Sequence, residues 1–173
     1  MHLWIVFSAV LMMGCMEEEV ALRTIYIDYT CTGYEDIIEA SAEKLNMALG
    51  YSALDILGFR GAYLPNLNDG LNNIVCLDSS DYDYFQHRSP NVPGYANVED
   101  IVLALDRMHT RGVLTQVVMH EFGHFVSGCG HIQDGNGVHV MSIGIKPDQP
   151  VTEYTEADIE LIDSAIQKNS DMY

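Results

Sequence analysis

Basic residues are scarce in this chain of 173 residues: eight Lys and Arg stand against 25 Asp and Glu, for a formal charge of −17. No run of Lys or Arg offsets that field. A surface so negative repels phosphate backbones, which excludes a nucleic-acid-binding role. The same charge serves solubility and would steer basic ligands towards the protein. Long apolar runs are missing as well. The one at the start, His2 to Met13, carries no charge but falls short of the roughly 20 residues that span a bilayer. Internal repeats, low-complexity tracts and a dividing linker are absent too, so one ordinary domain is expected. What is present is apolar material. Hydrophobic residues at 48% and aromatics at 9% suffice for a core and exclude a wholly disordered chain.

The first apolar run has the length of the hydrophobic part of a secretory signal. It ends in Met12-Met13-Gly14-Cys15, followed by Met16 and the acids Glu17, Glu18 and Glu19. A small residue followed by Cys at this point resembles the lipobox of bacterial lipoproteins. The resemblance implies a signal peptide of that type over residues 1–14, with Cys15 lipidated as the mature N-terminus. An exported, membrane-anchored lipoprotein follows, periplasmic or at the cell surface, touching the membrane only through the lipid at Cys15. Several acyl chains make such anchoring stable. The alternative is an ordinary signal peptide and a secreted protein. With Cys15 lipidated, Cys31, Cys76 and Cys129 remain. Three thiols form at most one internal disulfide in an exported monomer, and Cys31–Cys76 is the expected pair because Cys129 lies inside the motif described below.

Element types alternate along the rest of the chain. Arg23 to Tyr29 mixes β-branched and aromatic residues and reads as a strand. Tyr34 to Leu49 places Ile37, Ile38, Ala42, Leu45 and Leu49 at helical spacing, with Gly50 available to end the helix. Further strands are expected over Gly58–Leu64, Asn73–Asp78 and Ile101–Asp106. Ser79 to Tyr95, punctuated by Pro90, Pro93 and Gly94, reads as loop. Its acidic start, Asp78-Ser-Ser-Asp81-Tyr-Asp83, has carboxylates that suit calcium but lacks the EF-hand spacing, and reads better as a solvated acidic loop. Gly112 to Ser127 is a helix apolar on most sides, which implies burial. A glycine-rich loop over Gly128–Gly144 leads to an amphipathic helix over Thr155–Lys168. The class is α+β.

Chemistry is concentrated in His120-Glu121-Phe122-Gly123-His124. Residues four apart on a helix project about the same way, so His120 and His124 present two imidazoles on one face. Two neutral imidazoles bind one metal at roughly 2.0–2.1 Å each. Glu121 lies beside that face, within reach of a water on the metal. Such a water has its pKa lowered towards about 7, and a carboxylate can take its proton and pass it to a leaving amine. HExxH is the signature of zinc peptidases. Two His and a Glu buried on one apolar helix would be costly without a metal or a partner charge. A third ligand is needed, and Gly128-Cys129-Gly130-His131 follows closely. Gly128 can end the helix in a left-handed conformation and turn the chain back, which brings His131 under the metal. Cys129, Asp134 and His139 are the other nearby donors.

These residues resemble the metzincins, and within them the matrixin-like catalytic domains. The family pattern is HExxHxxGxxH; here His120-Glu-Phe-Gly-His-Phe-Val-Ser-Gly-Cys-Gly-His131 carries one added residue before the glycine. That addition corresponds to about 100° of helical rotation, which a bulge or a tightened last turn could absorb. Val140-Met141-Ser142 resembles the family's Met-turn beneath the metal, and Thr152 to Ile166 its last helix, with Ile159 and Ile162 as core. The resemblance covers roughly residues 23–168. It implies a metzincin-like zincin fold: a twisted mixed sheet with an active-site helix, a Met-turn and a C-terminal helix. It further implies one catalytic zinc on His120, His124 and His131, with Glu121 as general base. An extended peptide would lie antiparallel to an edge strand, placed here at Tyr95 to Val98.

The domain plan is then a signal over 1–14, a short tether over 15–22 and a single catalytic domain over 23–173. Three readings follow. The first is an exported zinc endopeptidase acting on protein or peptide substrates. The second is a non-catalytic relative that kept the fold as a binding module. The third is a peptidase of the other large HExxH class, in which a downstream Glu is the third ligand; Glu153, Glu156 and Glu160 lie at suitable distances. His139 beside the Met-turn is either a hydrogen-bonding support for the site or a surface residue.

Overall fold

The computed structural model describes residues 22–60, 71–81, 92–97, 99–133 and 137–170. The expected signal, Cys15, Asp83 and Asp134 lie outside these residues. The first strand, β1 (Arg23–Asp28), sends Ile25 and Ile27 into the core at alternate positions. A 3-10 turn over Tyr29–Cys31 follows, opened by Asp28 accepting from Thr30 N at 2.9 Å. Helix α1 (Glu35–Leu49) buries Ile37, Ile38, Ala42 and Leu45, and Gly50 ends it in the left-handed region at φ 79°. Cys31 and Cys76 form the expected disulfide, which ties the end of β1 to the third strand.

The second strand, β2, runs over Leu54–Arg60, earlier than the Gly58–Leu64 expected from sequence. Both of its faces carry apolar residues: Leu54 is buried on one, Leu57 and Phe59 are exposed on the other. The two-residue alternation that marks a half-buried strand is therefore invisible there. Gly58, at φ 101°, sits where the register with β1 slips between Ile25 and Ile27, so it belongs to a bulge rather than a strand start. Strands β3 (Asn73–Leu77), β4 (Gly94–Ala96) and β5 (Asp100–Ala104) complete one sheet in the order β2-β1-β3-β5-β4. All neighbours are parallel except β4, which pairs antiparallel with β5 at the edge, Gly94 opposite Leu103 and Ala96 opposite Ile101. The edge strand thus begins one residue before the expected Tyr95, inside a stretch that reads as loop, and Val98 is outside the described residues.

Helix α2 (Arg111–Ser127) is the most buried helix, with Val113, Leu114, Val117, Val118, Met119, Phe122 and Phe125 all in the core shared with α1 and the sheet. Its ends follow from local chemistry. Thr110 caps the N-terminus by accepting from Val113 N at 3.1 Å, and Gly128 closes the C-terminus at φ 63° with its N–H on His124 O. Helix α3 (Glu156–Ser170) packs behind α2 through Ile162 and Ile166. Ile159, expected in the core, is half-buried; Asp158 takes the innermost place instead.

Candidate metal centre

Three histidine side chains converge. His120 and His124 come from one face of α2, and His131 from the chain that Gly128 turns back beneath it. The His124 Nε2 lies 3.0 Å from His120 Nε2 and 3.2 Å from His131 Nε2. Among the described residues this is the only group of His, Cys, Asp or Glu with metal-ligand spacing. The loop that carries His131 is pinned by Ile132 N donating to Met141 O at 2.8 Å.

The tautomers follow from the second nitrogens. His120 Nδ1 faces Val140 O at 2.7 Å, and His124 Nδ1 faces Cys129 O at 2.8 Å. A carbonyl only accepts, so each Nδ1 carries the proton and each Nε2 presents a lone pair. Two lone pairs 3.0 Å apart repel and cannot hydrogen-bond to each other. A cation between them removes the conflict. At zinc–nitrogen distances of 2.0–2.1 Å, tetrahedral angles put ligand nitrogens about 3.4 Å apart, within a few tenths of an ångström of what the side chains adopt. The residues present therefore fit a tetrahedral metal with three nitrogen ligands. Burial also favours the neutral rings: it pushes His120 down to about 4, aided by the charge of His124, and it lowers His124 and His131 as well.

Glu121 points from the same helix into the same cleft, a cavity of about 880 Å³ whose lining includes β4, the second half of α2 and Ser142, Ile143 and Ile145. It is 5% exposed, and burial raises its carboxyl to about 8. The edge strand passes directly over it. A Cβ built on Gly94 would sit 2.5 Å from Glu121 Oε1, 2.9 Å from its Cγ and 2.8 Å from Val117 Cγ1. Only glycine lets β4 approach so closely. Gly123 serves a similar purpose on the opposite face of α2, where a Cβ would meet Met141 Sδ at 2.5 Å. Met141 is fully buried, and its carbonyl accepts from Ile132 N on the loop that carries His131.

The other expected donors stand elsewhere. Cys129 is a buried free thiol 3.8 Å from Gly123 O; its contribution is the backbone carbonyl that orients His124. His139 is half-buried and bonds through Nδ1 to the Thr155 hydroxyl at 2.7 Å, outside the cluster. Glu153 pairs with Lys44, and neither Glu156 nor Glu160 joins the histidines. It is His131, and no downstream Glu, that lies together with His120 and His124. Two site residues escaped the sequence reading. Gly94 looked like turn punctuation after Pro93. Asp158 accepts from the Val140 and Met141 amides, and the pattern Thr155-x-x-Asp158, a capping box, was its available signal.

No family model matches the chain, and no curated protein is similar to it in sequence. Among solved structures it resembles the crystal structure of archaemetzincin from Methanopyrus kandleri, with a TM-score of 0.56 over 88% of this chain and 99% of that one. The two are 15% identical. The architecture is an archaemetzincin-like zincin fold.

Proposed function

We propose that this chain is a zinc-dependent endopeptidase. The observation that carries the reading is the convergence of three Nε2 atoms on one point, each helix histidine locked through Nδ1, in the cleft that holds Glu121. Zinc held by His120, His124 and His131 would supply Lewis acidity for a peptide carbonyl and a water acidified towards a pKa of about 7. Glu121 takes the proton from the attacking water on a carboxylate oxygen and delivers it to the leaving amine. Its burial gives the proton a dry resting place, and a cation nearby would favour the carboxylate form needed to start. Strand β4 lines the cleft at the sheet edge, so an extended substrate can add to it antiparallel and pass over Gly94 towards the histidines. The added residue before Gly128 is compatible with this site because α2 continues through Ser127 and turns only at Gly128.

The fold neighbour supports the same chemistry, since its name is that of a metzincin. The Cys31–Cys76 disulfide supports export, because such bonds persist in oxidising compartments. Lipidation of Cys15 is then the proposed anchor, and Cys15→Ala should move the protein from the membrane to the soluble fraction.

Elemental analysis tests the core of the proposal. One tightly held zinc per chain is expected. Glu121→Gln should keep that zinc and abolish cleavage of a peptide library. His131→Ala should release it, whereas Glu156→Ala and Glu160→Ala should not. A chain that binds no zinc would overturn the assignment. Zinc with no cleavage of any peptide would favour the binding-module reading.

A further inference from the structure

One peptide unit stands between a buried carboxylate and a histidine of the metal site. Asp158, fully buried near the start of α3, accepts four bonds: Met141 N at 2.8 Å on Oδ1, and on Oδ2 Val140 N at 3.1 Å, Thr155 N at 2.8 Å and the Thr155 hydroxyl at 2.8 Å. The N–H of Met141 belongs to the same peptide group as the Val140 carbonyl, and that carbonyl accepts from His120 Nδ1 at 2.7 Å. An amide that donates to an ionised carboxylate is polarised along its length, so its carbonyl becomes a stronger acceptor. A stronger acceptor at Nδ1–H makes the opposite ring nitrogen a better ligand and fixes the plane of the ring.

We propose that Asp158 is a positioning residue of the metal site, acting on His120 through the Val140–Met141 peptide. It does for His120 what a directly bonded carboxylate does for other metal-binding histidines, with one peptide inserted between them. His124 supplies an internal contrast. Its Nδ1 donates to Cys129 O at 2.8 Å, and among the described residues no carboxylate accepts from the adjoining Gly130 amide. The two helix histidines are therefore held by carbonyls of unequal strength.

The inference rests on the zinc reading, and the experiment separates the two. In the zinc-loaded full chain, NMR should find the His120 Nδ1–H proton downfield of the corresponding His124 proton. Asp158→Asn should move that proton upfield and weaken zinc binding, measured by chelator competition, by tenfold or more, the usual loss when a partner of a metal-bound histidine is removed. Thr155→Val removes the hydroxyl's bonds with the Asp158 carboxylate, the Asp158 amide and His139 but leaves both bonds from the Val140 and Met141 amides. It should lower thermal stability yet keep zinc affinity within about twofold, since no partner of a ligand is lost. Coincident His120 and His124 protons in the unaltered protein would overturn the proposal, and that result needs no variant to fold. A folded Asp158→Asn with zinc affinity and proton position unchanged would overturn it equally. Both outcomes leave the zinc reading standing. A wild-type chain that takes up no zinc removes the zinc reading and this one together.

Discussion

Replacing Gly94 by alanine tests the relation between the edge strand and Glu121. The new Cβ would lie 2.5 Å from Glu121 Oε1, 2.9 Å from its Cγ and 2.8 Å from Val117 Cγ1, whereas ordinary contact begins at 3.4 Å. Relief at the first contact alone requires about 0.9 Å of movement, the difference between 3.4 and 2.5. Val117 is β-branched and fully packed, so it yields little. The displacement then falls on the Glu121 carboxylate or on β4. Misplacing a reacting group by about 1 Å costs on the order of 10²-fold in rate, or about 2.7 kcal/mol of transition-state stabilisation. Overpacking should add about 1–3 kcal/mol of destabilisation. The histidines lie apart from the clash, so zinc content should not change. The assay is cleavage of a fluorogenic peptide by zinc-loaded protein, with kcat/KM compared between wild type and Gly94→Ala. Activity within about threefold of wild type, less than 1 kcal/mol, would refute the claim that β4 lies against a Glu121 that acts in the reaction.

Gly123→Ala should destabilise the protein although alanine is the better helix former. The gain of about 1 kcal/mol in helix propensity is outweighed by the clash with Met141 Sδ, so Tm should fall by a few degrees; a rise would show that Met141 moves aside freely. Reducing the Cys31–Cys76 bond, whose partners are 45 residues apart, should cost about 4 kcal/mol by the chain-entropy relation, and equal denaturation midpoints with and without reductant would contradict it. Glu121→Gln should stabilise the metal-free protein at pH 7. Burial raises the folded pKa from 4.5 to about 8, so ionised Glu121 opposes folding increasingly as pH rises between those values. The gain should reach up to about 3 kcal/mol at pH 7 and vanish near pH 4.5, and a gain that does not depend on pH would show another cause. The histidines act in the opposite sense. Their folded pKa values lie below 6.5, so metal-free stability should fall as pH drops from 6.5 towards the value of about 4 held by His120. Urea midpoints of Glu121→Gln from pH 4 to 8 isolate that second trend.

Much of the site was legible because it is written in local spacing. The four-residue interval of His120 and His124 fixes a shared helix face whatever the rest of the fold does. The Gly128 terminator and the left-handed turn that frees His131 likewise need only neighbouring residues. The Cys31–Cys76 pair was the candidate once Cys15 was set aside as lipidated and Cys129 as part of the metal-site motif, and the disulfide forms between those two. Strand β2 was shifted because Leu57 and Phe59 face solvent, and an exposed apolar residue hides the period.

Sequence by itself thus determined the α+β class, the helix that carries the metal-site motif, its stop at Gly128, and His131 as the leading third donor. Only the tertiary structure decided which donors meet, since His131, Cys129, His139 and the downstream glutamates are all able to ligate a metal and what separates them is where distant segments place them. The same holds for Gly94, which looks like a turn residue until β4 is seen to cross Glu121, 27 positions further along the chain. It holds too for Asp158, an acid on an amphipathic helix that points inward because the Val140 and Met141 amides, 18 and 17 residues away, satisfy its charge. A carboxylate tolerates burial only where donors are already fixed, and those donors are supplied by a turn that the helix's own sequence does not contain.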